Sequence, residues 1–549
     1  MRTSLQSPMA VIAASLALAA CQTSEDEIQF RSTYTTNVTL DGGDDGGPNC
    51  EPTEFFDVNE RRSLFETHEL ALSAFQMDEV LDAIAVNGGL TSNPGQTHDQ
   101  LMDTYNPSPG LGLGGNCDDE VDFNGDPGLN GYPLQCGRAE GDQIGNMDEW
   151  FPIAVVNRFD LAPSDGSNCG EARIVMANVR QQFPNRFFTI FEAQVPNPDP
   201  SCGIDACAPV QEFWASLTDI DDPVERGEQL RMAFLDGHPD LEAAGFPPFV
   251  RHQAFTFGAG QVRTNNFHEF PWTLREFKTV AVKPQPSIGP VAKGGAFEPA
   301  PSPGLLRMVQ VPVAANPFGE LWDDTAMLPQ SKKCLDALVA TVPSLMSDNP
   351  NLMGVSVPTE CLAAESPDTS AMDYPNHLNP GGPLANAIQN AIFAEDPMSS
   401  LQPVHIARRA LFAGGCIGCH QRSNFGSNND LGNGVNAPVS LGFVHTSEFA
   451  QEDCGDGDSS CFVISSALKD SFLPHRKSVM DTFLNDGPCC EPNDVDIGVD
   501  PGPIPLPEPV PLPIEEAEID VEQMLEAEAD AVAAQSPVTV SGTSTKRAH

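Results

Sequence analysis

The sequence predicts an α+β protein: a β-rich N-terminal region, a small all-α unit after it, and an acidic C-terminal tail that stays disordered. Three observations predict this. Between residues 151 and 315, short apolar or alternating runs are bounded by Pro, Gly and Asn, as strands are. After about residue 330 the spacing turns helical, with Leu335, Leu338, Val339 and Val342 at i, i+3, i+4 and i+7. From Gly487 onward no core-forming pattern remains. Prolines fill every odd position from 501 to 513, and residues 515–530 carry eight acids and no base. Strands and helices do not alternate regularly, which favours α+β over α/β.

The elements follow in order. Ile153–Asn157, Ala172–Asn178 and Phe187–Phe191 read as buried strands, and Gln261–Asn265 and Trp272–Lys278 as half-buried ones. Val210–Gly237 has helical spacing. Helices are also expected at Pro383–Phe393, at Leu401–Phe412 and from Ile464 to Leu484, reset at Pro474. Asp122-Phe-Asn124-Gly-Asp126 opens like a calcium loop, but Pro127 and Pro133 occupy positions that need Gly and Glu, so it reads as a turn. Arg263, Asn265, Asn266 and His268 form a polar group at a strand end, where satisfying backbone is the commoner role and lining a pocket the rarer one.

Length and charge bound the function. The chain of 549 residues is long enough for three to four structural units. Its 77 Asp and Glu against 28 Lys and Arg give a net charge of −49. That argues against binding nucleic acid through phosphates and docking on anionic lipid heads; it reads first as a soluble, self-repelling surface suited to salty or extracellular conditions, with steering of a basic partner as the sharper alternative. No nucleophile elbow, zinc-protease helix, phosphate loop or dinucleotide fingerprint is present, so hydrolase, kinase and nicotinamide-enzyme readings have no support.

Residues 1–21 form an export signal. Arg2 precedes the apolar run Met9–Ala20, too short to span a bilayer. Leu18-Ala19-Ala20-Cys21 resembles the cleavage box of bacterial lipoproteins. The resemblance implies that Cys21 carries the lipid, and Gln22 implies the outer membrane, facing periplasm or cell surface. The membrane is then reached only through that lipid. A tether (22–54), an α+β domain of unassigned role (55–330) and a helical connector (331–382) follow. Apart from Cys21, Cys416 and Cys419, twelve of the 15 cysteines remain, enough for six disulfides in an oxidising compartment. Cys202–Cys207, Cys334–Cys361 and Cys454–Cys461 are the plausible local pairs.

Cys416-Ile-Gly-Cys419-His420 carries the chemistry. Two thiols one helical turn apart can each add to one haem vinyl group, and the adjacent imidazole can then bind the iron. Zinc would want a second close ligand pair, a redox dithiol a thioredoxin-like setting, and a structural disulfide is the plain alternative. The preceding helix with Phe412, the polar loop and the final helix resemble the small c-type cytochromes over residues 383–486. The resemblance implies one covalent haem c held by Cys416, Cys419 and His420. The sixth ligand departs from that family, whose loop usually supplies Met; here the choices are His445, then Met480 or His475, or no protein ligand, or one from elsewhere such as His405. Residues 487–549 are the tail.

Three functions follow as expectations. The first is an exported, lipid-anchored monohaem cytochrome passing electrons to a redox partner protein at the cell envelope. The second is a haem-dependent oxidoreductase, peroxidase- or oxygenase-like, with its substrate pocket in the β-rich region. The third is a surface binding or structural lipoprotein.

Overall fold

The computed structural model describes residues 55–485 other than 112–113, 138–146, 179–185, 267–270, 283–303, 327, 329–330, 425–428 and 456. The signal segment with Cys21, the tether, the C-terminal tail and His268 lie outside the described residues. No helix among the described residues is long and apolar enough to cross a membrane.

The chain is α+β. One antiparallel sheet takes β1 (Phe65–Glu66), then, past a small hairpin of β2 (Gly128–Leu129) and β3 (Tyr132–Pro133), β4 (Trp150–Arg158), β5 (Asn168–Asn178), β6 (Phe187–Pro196), β7 (Gln261–Asn266), β8 (Thr273–Val282), β9 (Leu305–Val311) and β10 (Ser366–Pro367). The order is β1-β4-β5-β6-β7-β8-β10, with β9 also on β8. The runs read as strands from the sequence fall inside β4 to β8, except that Trp272 lies one residue before β8. The Asp122 segment is a turn, in which Asp122 Oδ1 accepts from the N–H groups of Asn124 and Asp126.

Side chains alternate across the sheet. One face points Val155, Ile174, Phe191, Val262 and Phe277 into the first core, with Trp214 and Phe234 from the helices beyond. The other face carries a row of charge. Register aligns Arg158 with Glu171, Arg173 with Glu192, Glu192 with Gln261, and Arg263 with Glu276.

The second core is built by the later helices, Ser331–Ala340, Pro383–Glu395 and Pro403–Ala413, through Leu338, Ile388, Ile406 and Leu411. The last helix, Leu473–Asn485, instead buries Met480 and Leu484 in the first core with the sheet. The small unit is also not all helix. Past a short ribbon of β11 (Asp430–Gly432) and β12 (Val435–Asn436), β13 (Thr446–Glu452) and β14 (Cys461–Ile464) pair antiparallel. Ile464, expected to start the last helix, ends β14. The reason is nonlocal. Phe462 N–H donates to Thr67 O at 3.0 Å and Glu69 N–H to Ser460 O at 2.9 Å, so this hairpin is stitched to the N-terminal segment.

Disulfides join Cys117 to Cys136, Cys169 to Cys207, Cys334 to Cys361 and Cys454 to Cys461. The expected pair Cys202–Cys207 is corrected. Cys207 is fully buried against β5 and meets Cys169 there, while Cys202, five residues earlier on a 3₁₀ turn broken at Gly203, is bonded otherwise. Cys454–Cys461 closes the β13–β14 turn over a separation of 7. Changing both to serine is expected to lower stability by about 2–3 kcal/mol, read as the denaturant midpoint with unchanged slope.

Candidate functional site

The Cys-x-x-Cys-His segment is one short helix, Cys416–His420, set against the end of helix Pro403–Ala413. Ile417 is fully buried in the second core. Gly418 has no room for a side chain, since a Cβ there would lie 1.8 Å from Leu411 O. These two residues press one side of the turn onto the core. Cys416, Cys419 and His420 are left partly exposed on the other side, over the charged face of the sheet.

The two thiols are free. Every other described cysteine is disulfide-bonded. Burial pushes Cys416 up to about 11 although Arg263 opposes it, and Ser366 on β10 hydrogen-bonds the sulfur. Burial pushes Cys419 up to about 12, with Cys416 adding to the effect. Both are therefore neutral thiols at neutral pH. A reactive dithiol needs the opposite shift.

His420 is fixed from its Nδ1 side. That nitrogen donates to Phe443 O at 3.0 Å, which leaves Nε2 as the lone-pair donor. Phe443 N–H returns a bond to His420 O at 2.8 Å, and Asn265 Nδ2 at the end of β7 donates to the same Phe443 carbonyl at 3.1 Å. Asn265 Oδ1 accepts from the indole N–H of Trp272. Phe443 holds φ at +71°, a left-handed conformation that a phenylalanine keeps only where its surroundings enforce it. Burial, with Arg263 adding to it, lowers His420 to about 4 against the opposing Phe443 bond, so the imidazole is neutral. Trp272, Phe443 and Phe472 supply aromatic walls around His420 and His445.

His445 lies beside His420, ring centroids 4.7 Å apart and planes at 60°. Its Nε2 is 3.3 Å from Cys419 Sγ, and its Nδ1 is 2.9 Å from Ser465 Oγ. With the thiol protonated, Cys419 S–H donates to Nε2 and Nδ1–H donates to the serine. Burial and the neighbouring His420 lower its pKa well below the usual value. In this arrangement His445 is a hydrogen-bonding neighbour of Cys419 as well as a packing neighbour of the His420 ring. Met480 is buried in the first core, its sulfur 3.6 Å from Asn157 Nδ2. His475 is half-buried at the start of the last helix, and His405 caps helix Pro403–Ala413 through Gln402.

Family models, curated proteins and solved structures contain no match to this chain.

Among the described residues, the one group of three His, Cys, Asp or Glu whose donor atoms lie within 4.8 Å of one another is His68, Cys454 and Asp458, and Cys454 is in a disulfide. The donors of Cys416, Cys419, His420 and His445 do not converge as a tetrahedral zinc site requires. The thiol spacing, the oriented neutral imidazole and the aromatic walls fit a thioether-linked porphyrin; a facing sixth ligand is not among the features observed.

The motif itself was legible in the sequence, but the charged floor was not. Arg158 binds Asp160 at 2.9 Å, Arg173 binds Glu192 at 2.8 Å, and Arg263 binds Glu192 at 3.3 Å and Glu276 at 3.0 Å. Arg476 from the last helix joins at Asp160, 3.7 Å away. The alternation Glu171-x-Arg173 was its only signal. The strand-end group read there as satisfying backbone does so at Asn265, and the backbone it satisfies is the one that orients His420.

Burial works against the charge on Asp160 and Glu192. Arg158 and Arg476 around the first, and Arg173 and Arg263 around the second, overcome it and hold both carboxyls below their ordinary values. Their contribution to stability is therefore complete above the unfolded carboxylate pKa and lost as pH falls through the lower native values. Acid titration followed by circular dichroism is expected to show stability falling steeply below about pH 4, and D160N to flatten that fall.

Proposed function

We propose that this chain carries one haem c, bonded to Cys416 and Cys419 with His420 as the proximal ligand, and that it transfers electrons at the cell envelope as an exported lipoprotein held by Cys21. The observation that carries the reading is the pair of unoxidised thiols at the motif, in a chain whose other described cysteines are all disulfide-bonded. Raised thiol pKa values speak against a redox dithiol, and non-convergent donors against zinc. When bound, the haem supplies a one-electron couple tuned by its axial ligands, nearby hydrogen bonds and burial. Phe443 O fixes the tautomer of His420, Trp272 and Phe443 exclude water from its side, and the net charge of −49 selects a basic redox partner.

A second reading, a haem-dependent oxidoreductase, is favoured by one feature. His445 Nε2 is engaged with Cys419 Sγ at 3.3 Å, so it would not be a free ligand for a bound haem unless that contact opened. Binding of carbon monoxide by the reduced protein separates the two: a carrier ignores the gas and an enzyme takes it up.

The deciding experiment is expression of the full chain in a host that attaches haem to exported proteins, followed by a denaturing gel stained for haem. Wild type is expected to keep its pigment through denaturation and C416A/C419A to lose it entirely. A colourless wild-type band overturns the reading.

A further inference from the structure

The charged floor beneath the motif has more cation than carboxylate, and the surplus falls on one residue. Arg158 already holds both oxygens of Asp160, at 2.9, 3.2 and 2.9 Å. Arg476 comes no closer to that carboxylate than 3.7 Å. It is 8 % exposed, and its Nη1 is buried with no hydrogen-bond partner among the described residues. A buried guanidinium that must share its carboxylate with a better-placed arginine is costly, because buried charge is tolerated only when it is well paired. Scarcity of acids is not the cause in a chain with 77 of them. The position is specific too: Phe472, one helical turn before Arg476, packs its ring against His445 with centroids 5.9 Å apart, which sets the start of the last helix beside the motif.

We propose that Arg476 receives a carboxylate at its unpaired arm, one helical turn from the contact between Phe472 and His445. A planar fork of donors with one arm unpaired matches a carboxylate that pairs with it edge to edge. Two sources share this chemistry. One is a propionate of the attached porphyrin, which rests on the haem reading; the other is a free small carboxylic acid, which does not.

The test uses the full chain with haem attached and, from cells lacking the attachment machinery, without it. Wild type, R476K and R476Q are compared in sodium acetate against sodium chloride at equal ionic strength and neutral pH. The unfolding midpoint of haem-free wild type is expected to rise by about 2–4 °C at saturating acetate, and that of R476Q not to rise. R476K keeps the charge without the fork, so its acetate affinity is expected to fall about tenfold; this arm stands even if R476Q fails to fold. If haem attachment abolishes the acetate response of wild type, the porphyrin's own carboxylate fills the site. If the response persists, a free carboxylate is the ligand. A haem-free wild type no more responsive than R476Q, or an R476K with undiminished acetate affinity, overturns the proposal. Should no haem attach to wild type, the haem reading fails, while the acetate arm still decides the role of Arg476.

Discussion

E192Q is expected to destabilise the protein by about 3–5 kcal/mol and lower its thermal unfolding midpoint by roughly 4–6 °C. Glu192 is 1 % exposed on β6 and lies between two guanidiniums. One oxygen takes Arg173 at 2.8 Å, and the other takes Arg263 at 3.3 Å together with Gln261. The floor holds Arg158, Arg173, Arg263, Lys278 and Arg476 against Asp160, Glu171, Glu192 and Glu276. Glutamine keeps the shape but turns an N–H donor toward an arginine and takes away one of those four carboxylates. The cost is therefore an unbalanced buried charge rather than a cavity. The double variant E192Q/R263Q separates the two causes: it is expected to lose about 1–2 kcal/mol less than the two single losses summed, because removing the second partner also removes the unpaired charge. Simple additivity would mean that the row is a set of independent pairs. Should haem be attached as proposed, E192Q is also expected to raise the midpoint potential, since a negative charge that acts on His420 is gone.

This row explains what was readable and what was not. Periodicity of two or of 3.6 is local, so Ile153–Asn157, Ala172–Asn178 and the helix holding Leu338 could be read from neighbours in sequence. The Cys416–His420 motif was legible for the same reason, because thioether spacing and the adjacent imidazole lie within one helical turn. Arg173 facing Glu192, or Arg476 reaching Asp160, depends on register and on how the last helix folds back, and no local pattern encodes that. The β13–β14 hairpin was missed likewise, since its strand character comes from Thr67 and Glu69 hundreds of residues away. Cys207 escaped its near neighbour Cys202 because a short separation makes closure easy but does not choose the direction a side chain faces; burial against Cys169 did. His445 was selected as the histidine of the loop before the last helix, and it does reach the motif. What spacing could not supply was its hydrogen bonding, with Nε2 on Cys419 and Nδ1 on Ser465.

Asn265 is where the sheet acts on the motif, and N265L is expected to have the second large effect. The substitution leaves the indole N–H of the fully buried Trp272 without its acceptor, at a cost of about 1–3 kcal/mol. It also removes one of the two donors on Phe443 O, the atom that sets the tautomer and ring orientation of His420. Two opposing consequences follow. Phe443 keeps its left-handed conformation only under constraint, so losing the Asn265 bond loosens the segment, and the fraction of chains carrying haem is expected to fall about 10- to 100-fold. In the chains that do carry it, the carbonyl is no longer shared, the His420 Nδ1–H···O bond strengthens, the imidazole donates more electron density, and the midpoint potential falls. W272F tests the division of labour. It removes the indole donor but leaves Asn265 Nδ2 on Phe443 O, so it is expected to cost stability with little change in potential. If N265L matched W272F in both haem content and potential, Asn265 would be holding the tryptophan and nothing more, and the sheet would have no part in tuning the site.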